Sequence, residues 1–262
     1  GSIFQGRFET LAKAPFNTPQ DMLRIAPAML KLESYKTVYG LVSKYVKSEK
    51  LRQVMSFHPL LVGGNPFATS SIYTLIAFLE RRWGVHFAMG GTGKIIEGMV
   101  KLIEDMGGTL RLGTGVDEIR VEDGKATGVR LSTAETVPAD IVVSNGDSAW
   151  TYRYLIDKKH RRKWPNARIE NSRYSMSLFV WYFGTAKKYD NVEHHTILLG
   201  PRYKGLLSDI FSKKTLSDDF SLYLHRPTKT DPSMAPEGCD AFYVLSPVPH
   251  LDADVDWSVQ AE

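Results

Sequence analysis

The glycine cluster Gly90-Gly91-Thr92-Gly93 divides this chain into a part with helical patterns and a part rich in strand patterns. Before the cluster, apolar residues and helix start signals predict helices over residues 38–46, 49–57 and 70–83. After residue 175, alternating and β-branched residues predict strands over 176–182, 196–199, 220–225 and 241–245. This segregation favours a fold of the α/β class with mixed α+β character.

The first predicted helix begins at Thr18, whose side chain can cap it, with Pro19 in the first turn. Pro27 is expected to kink or break this helix early. Asp21 and Arg24 lie three residues apart and are neighbours on its surface. A charge pair on so apolar a helix could orient or protonate a reacting group. The residues themselves favour a structural interpretation. Asp21 would cap the helix and form an exposed ion pair with Arg24 that contributes under ~1 kcal/mol.

The middle of the chain is predicted to form one helix followed by short strands. The glycine cluster starts an amphipathic helix, which Gly107-Gly108 closes. Strands are predicted over 109–112, 116–121 and 127–131, with a hairpin turn at 122–125. Residues 139–145 are predicted to form a buried strand of the parallel-sheet kind. A long loop is expected over 227–238, which contains three prolines and a glycine.

Neither a phosphate loop nor a metal site is predicted. A dinucleotide fingerprint requires glycine where Ile96 stands, and a P-loop requires glycine at Ala88, so the cluster is interpreted as a flexible helix start. His194 and His195 are adjacent and would point to opposite faces of a strand. The other five histidines, including His225, stand alone in the sequence without ligand spacing.

Composition bounds the possible partners and the compartment. The net charge is +4, much of it from the basic run 158–163, which we interpret as a solvated face, so no nucleic-acid partner is predicted. The single Cys239 has no disulfide partner, which favours a reducing compartment such as the cytoplasm. No apolar run approaches the roughly 18–20 residues that a spanning helix needs.

Residues 60–71 form an apolar loop with Gly63-Gly64 and Asn65-Pro66. Glycines there permit a close backbone approach, either to a ligand or to another element. A ligand wall and a structural turn both remain open.

Several long motifs together resemble the central part of the bacterial and fungal phytoene desaturases. They are residues 56–76 (SFHPLLVGGNPFATSSIYTLI), the glycine cluster, and residues 220–225, 235–239 and 243–251. The resemblance runs from about residue 15 to the end. It implies part of a flavin-dependent amine-oxidase-like fold, with a mixed-sheet and helical substrate domain and a portion of the doubly wound FAD domain.

The resemblance also implies domains, partners and site residues. Residues 1–89 would be the helical, membrane-facing part of the substrate domain, 90–147 a segment of the FAD domain, and 148–262 the substrate-domain sheet. The cofactor would be FAD, with Val116 in the strand that approaches the adenine. The substrates would be phytoene and related polyenes, taken from the membrane surface by a peripherally associated cytoplasmic protein, and Asp21 and Arg24 would lie near the reacting polyene. The oligomeric state is left open.

The family's amino-terminal strand–G-x-G-x-x-G–helix and its carboxy-terminal glycine-rich segment do not occur in this sequence. The chain is therefore interpreted as a central fragment that is inactive alone, because most of the pyrophosphate site is missing. A related carotenoid oxidoreductase, a polyene isomerase, a polyene- or lipid-binding portion without chemistry, and an isolated folding unit are the alternatives.

Overall fold

The computed structural model describes residues 18–260 and divides the chain into two compact units. The first unit contains the residues up to Ile95 and those from Ser175 onward, and the second is Ile96–Tyr174. The helices are α1 (Pro19–Lys31), α2 (Val38–Tyr45), α3 (Glu49–Ser56), α4 (Leu75–Trp83), α5 (Gly93–Asp105), α6 (Ser148–Trp150), α7 (Asn166–Glu170), α8 (Tyr203–Ser208) and α9 (Trp257–Gln260). The strands are β1 (Val116–Glu122), β2 (Lys125–Leu131), β3 (Thr136–Pro138), β4 (Ser177–Thr185), β5 (His195–Leu198), β6 (Leu222–His225) and β7 (Asp240–Val248).

Helix α1 confirms the predicted cap at Thr18, and it is not broken at Pro27, where a kink or a break was predicted. Thr18 and Asp21 form a reciprocal capping box at the start of α1, with Pro19 in its first turn. The helix continues through Pro27 to Lys31. Proline removes only the hydrogen bond that its own N–H would donate, and the following turn still closes, since the Leu32 N–H donates to the carbonyl of Ala28 at 3.0 Å.

The main sheet of the first unit is antiparallel, with strand order β4-β7-β6-β5. Strands β4 and β7 pair from Ser177↔Val248 to Thr185↔Asp240. Because side chains alternate along each strand, the register defines two faces. We call them the tyrosine face, which carries Tyr182, Tyr223 and Tyr243, and the tryptophan face, which carries Trp181.

A compact apolar core joins the helical segment to the start of this sheet. One side of α8 and of the single π-turn after it is buried against Met176, just before β4. The residues on this side are Tyr203, Leu206, Leu207 and Ile210. Leu60 and Phe67, from the loop between α3 and α4, pack on the same cluster together with Leu199 and Phe211. The loop is therefore held in place by core packing.

A buried ion pair links the end of β6 to the start of β7. Arg226 Nε lies 2.9 Å from the Asp240 carboxylate, and the two residues are 3% and 1% exposed. Two hydrogen bonds to this carboxylate accompany the ion pair, from Thr228 Oγ1 at 2.6 Å and from the Tyr189 N–H at 2.8 Å. Burial alone would raise the pKa of Asp240, but these hydrogen bonds and Arg226 hold its pKa below the ordinary value.

The second unit contains the small antiparallel sheet β1-β2-β3, and the predicted hairpin turn is confirmed at Asp123 and Gly124, both with positive φ. The predicted strands over 109–112 and 139–145 are wrong. A strand of the parallel-sheet kind needs partner strands, and none in residues 18–260 pairs with the segment 139–145. Ile141 and Val143 are therefore 80% and 87% exposed. Both sheets are antiparallel, so the described fold combines helices with antiparallel sheets. None of its helices has the length and apolar character needed to cross a bilayer.

Replacing Asp240 by asparagine should lower the free energy of unfolding by about 3–5 kcal/mol, because the buried Arg226 then keeps only the 95% exposed Asp190, at 3.8 Å, as a counter-charge. Urea unfolding at neutral pH measures this loss. The matched control is Glu193→Gln, which breaks an ion pair with Lys229 whose partners are 70% and 37% exposed, and it should cost under ~1 kcal/mol. Because the pKa of Asp240 is lowered, its contribution is present above about pH 4 and disappears as the pH falls further. An equal, small loss for both variants would contradict the prediction.

Candidate functional site

The tyrosine face of the main sheet forms the floor of an apolar cavity of about 270 Å³. Phe57, Leu60 and Leu61 form a wall on one side. The sheet itself contributes Leu178, Ile197, Tyr223, Tyr243, Leu245 and Pro247. No Asp, Glu, Lys, Arg or His side chain lines this cavity, so it suits an apolar ligand that binds through loss of water-exposed surface.

The wall of the cavity is a short 3₁₀ helix, His58–Val62, which Gly63 ends at a φ of 74°. A Cβ on Gly63 would lie 2.9 Å from the Cβ of Ser175, and one on Gly64 would lie 2.7 Å from Thr69 Oγ1. These close approaches require glycine. The structural turn is confirmed, and the loop also presents Leu60 and Leu61 to the cavity, while its use as a ligand wall stays a prediction.

Two tyrosines form the polar end of the cavity. Burial and the hydrogen bond with Tyr243 raise the pKa of Tyr223, so its hydroxyl stays protonated at neutral pH. The Tyr223 hydroxyl lies 2.7 Å from His195 Nδ1, and the ring of Tyr243 lies edge-on to His225 at 4.4 Å between centroids. The alternation of Tyr223 and His225 along β6 is visible in the sequence, but their neighbours on β5 and β7 depend on register.

Beyond these tyrosines, His194, His195 and His225 form a cluster. One ring nitrogen of each lies within 4.8 Å of the others, and His194 Nε2 is 2.7 Å from His225 Nε2. The prediction that His225 stands alone is therefore wrong. The prediction that His194 and His195 diverge is also wrong, because only His195 belongs to β5, where it pairs with His225, while His194 precedes the strand.

Burial favours the neutral form of all three imidazoles, because it lowers the pKa of each. Burial lowers the pKa of His225 to about 4, with further contributions from the charges of His194 and His195. Burial is also the main cause that lowers the pKa of His194 and of His195. Neutral imidazole is the form that binds metal ions.

The residues predicted from the sequence lie elsewhere. The Asp21 carboxylate accepts hydrogen bonds from the Thr18 N–H at 3.0 Å and the Thr18 hydroxyl at 2.7 Å, and Arg24 is exposed on α1. Neither residue lines the cavity. Val116 is the first residue of β1 in the second unit and pairs with Leu131. The catalytic and cofactor-binding roles of these residues stay predictions.

The glycine cluster does not present an open phosphate cradle. The Gly90 N–H donates to the carboxylate of Asp231 at 2.6 Å, and Asp231 is buried in the loop between β6 and β7. Hydrogen bonds from Ser233 and from Gly90 keep the pKa of Asp231 below its ordinary value, so the carboxylate is charged. An internal anion thus already takes the Gly90 amide that a pyrophosphate would need. The sequence also has no G-x-G-x-x-G. The described residues therefore do not fit the pyrophosphate of a dinucleotide.

Comparison with known proteins identifies the family of this chain. Residues 3–238 match the model described as "Flavin containing amine oxidoreductase". A "Phytoene desaturase (neurosporene-forming)" from Rhodobacter capsulatus is 49% identical over 261 residues, covering 97% of this chain and 50% of the relative. A "Phytoene desaturase (lycopene-forming)" from Pseudescherichia vulneris is 49% identical over 258 residues, with 98% and 52% covered. The chain thus spans about half the length of the curated relatives it matches.

A solved structure of an oxidoreductase from Methanosarcina mazei shares the fold. It superposes with a TM-score of 0.61 at 19% sequence identity, over 90% of this chain and 53% of that one. At this identity the likeness concerns the fold alone.

Proposed function

Since this chain belongs to the family of flavin containing amine oxidoreductases, we propose that it is the polyene-binding part of an FAD-dependent phytoene desaturase of carotenoid biosynthesis. The observation that carries the proposal is the apolar cavity on the tyrosine face, which has no Asp, Glu, Lys, Arg or His in its lining. The names of the relatives supply the substrate class, a long hydrocarbon polyene.

The residues of this chain would bind and position the hydrocarbon. A polyene offers no group for hydrogen bonding, so its affinity comes from apolar surface removed from water, at about 25 cal/mol per Å². The cavity supplies that surface for one segment of the polyene, through Leu60, Leu61 and the side chains of its sheet floor. When bound, the flavin would accept the hydride removed from the carbon–carbon unit, and the protein would supply orientation and exclusion of water.

We also propose that the longer protein completes the cofactor site. Under this proposal residues 90–147 belong to the FAD domain, with Val116 near the adenine, while 1–89 and 148–262 form the substrate domain. Asp21 and Arg24 are proposed to lie near the reacting polyene, and Asp21→Asn or Arg24→Gln in the full-length protein should then lower kcat for phytoene turnover. The occupied Gly90 amide supports the alternative that this chain alone only binds polyenes.

Replacing Ile197 by asparagine in the full-length protein should raise the KM for phytoene roughly tenfold, because an amide without a partner enters the apolar cavity. The matched control is Leu198→Asn, the next residue on the same strand, whose side chain points to the tryptophan face. Turnover of phytoene in detergent or vesicles, with product identification, gives KM and kcat for both variants. Equal KM values would reject the cavity as the polyene site. A product without new double bonds would instead identify an isomerase or another carotenoid enzyme.

The isolated chain should not retain FAD. The visible spectrum after FAD is added and the excess removed should show no flavin band, because Asp231 occupies the Gly90 amide and the sequence has no G-x-G-x-x-G to bind a pyrophosphate. The full-length protein, treated identically, is the control and should keep the band. A band retained by the isolated chain would mean that it carries more of the cofactor site than we propose.

We propose that the cavity wall faces the membrane surface of a peripherally associated cytoplasmic protein. The observation that supports this is a patch of exposed apolar residues on α3 and the turn after it, namely Leu51, Val54, Met55, Leu61 and Val62. Leu61 is 55% exposed and also lines the cavity, so the patch continues into the site. The basic residues Lys47 and Lys50 flank this segment and suit anionic lipid headgroups.

Replacing Val54 by aspartate should reduce binding of the chain to phospholipid vesicles about fivefold, because a charge opposes insertion of the apolar patch. Co-sedimentation with vesicles, with and without anionic lipid, measures the effect. Leu251→Asp is the control, since Leu251 is 73% exposed but lies in the segment after β7. Equal losses for both variants would argue against the proposed patch.

A further inference from the structure

The histidine cluster has the hydrogen-bond arrangement of a metal site. The Nδ1 atoms of His194 and His195 face the hydroxyls of Thr230 and Tyr223. These contacts leave the Nε2 atoms of both rings free of hydroxyl partners, and His194 Nε2 meets His225 Nε2. Proteins orient metal-binding imidazoles through a hydrogen bond from the outer ring nitrogen, usually to a carboxylate, a backbone carbonyl or water, and here the two hydroxyl oxygens can accept it.

The cluster is also incompletely satisfied as it stands. His225 is 9% exposed, and its Nδ1 has no hydrogen-bond partner among the described residues. Between two neutral imidazoles, the Nε2–Nε2 contact accommodates one proton, and leaving a buried polar atom unpaired costs roughly 1–3 kcal/mol. A metal ion bound between the three rings would take the place of the proton that His194 Nε2 and His225 Nε2 share.

We propose that His194, His195 and His225 bind one divalent transition-metal ion of the zinc class through their ring nitrogens. Three imidazoles with a fourth position left for water or another ligand form a recurrent zinc coordination set. With Zn–N distances of about 2.0–2.1 Å, the nitrogens of a tetrahedral site lie roughly 3.3 Å apart. The observed nitrogens are 2.7 to 4.8 Å apart, so small rotations of the side chains would produce the site.

The chemistry of the cluster selects the class of ion. Neutral nitrogen donors suit zinc, nickel, cobalt and copper, whereas magnesium and calcium require oxygen ligands. Phe87 stacks edge-on against His194 at 4.8 Å and is 5.9 Å from His225, which places an apolar wall on one side of the rings. Such a wall restricts water around the ion.

The metal would clamp the edge of the main sheet. His195 on β5 and His225 on β6 are cross-strand partners, and His194 lies where the chain enters β5. Because Tyr223 is bonded to His195 and lines the cavity, the ion would also fix the polar end of the cavity. The role is structural and requires no step in the reaction, so it is independent of the proposed function.

The test uses the untagged, EDTA-treated chain, since a polyhistidine tag would itself bind the probe. Isothermal titration with Zn²⁺ should give one ion per chain, Zn²⁺ should raise Tm, and Co²⁺ should give the visible absorption of a tetrahedral site. His195→Gln removes an exposed ligand and should weaken Zn²⁺ binding at least tenfold. The control is His86→Gln, whose ring contacts the backbone carbonyl of Trp83, and this variant should bind Zn²⁺ like the parent.

His194→Gln gives a second, independent removal of a ligand, and far-UV circular dichroism verifies that each variant is folded. Weakened binding in both cluster variants, with unchanged binding in His86→Gln, supports the site. Absence of binding by the parent chain, or parent-like binding by the folded His195→Gln and His194→Gln variants, overturns it.

Discussion

The buried pair of Arg226 and Asp240 is the constraint on which the main sheet depends. Asp240 is the first residue of β7, and Arg226 follows the last residue of β6, so their ion pair fixes where the two strands meet. Arg226 also donates from its guanidinium to the carbonyls of Tyr189 and Val192, and from its backbone to that of His194. One side chain thus ties together the segments before β5, after β6 and at the start of β7. Two buried charges are tolerated there because nearly every donor and acceptor is matched.

This constraint also determines the composition of the candidate site. Once β5, β6 and β7 are in register, His195, His225 and Tyr243 come side by side, and Tyr223 aligns with Ile197 and Leu245. The polar cluster and the apolar cavity are therefore successive parts of one sheet face. A slip of one residue along β6 would move Tyr223 and His225 to the tryptophan face and dismantle both.

Local patterns predicted most of the elements, because their causes lie within a few residues. The apolar and β-branched runs of β4 and β7, the Thr18–Asp21 cap and the turn at Asp123 and Gly124 are of this kind. The strand expected over 139–145 was wrong because Ile141 and Val143 satisfy a strand pattern without a partner strand in the described fold. The histidine cluster was missed for the opposite reason. His194 and His225 are 31 residues apart, and only cross-strand register brings them together. The family resemblance could not reveal the cluster, since it concerned motifs and not contacts.

The hydrocarbon ligand that we propose would place an unusual demand on this site. It has no polar group, so its position along the cavity must be set by shape and by the points where apolar lining ends. In this fold the apolar lining ends at Tyr223 and Tyr243. Their rings line the cavity, and on the other side they contact His195 and His225. The contacts with His195 and His225 hold the two tyrosine rings in place, and the rings determine where the apolar cavity ends. These polar contacts thus fix the position at which the apolar lining of the cavity ends. A purely hydrophobic wall can repack at little cost, so it would not fix that position.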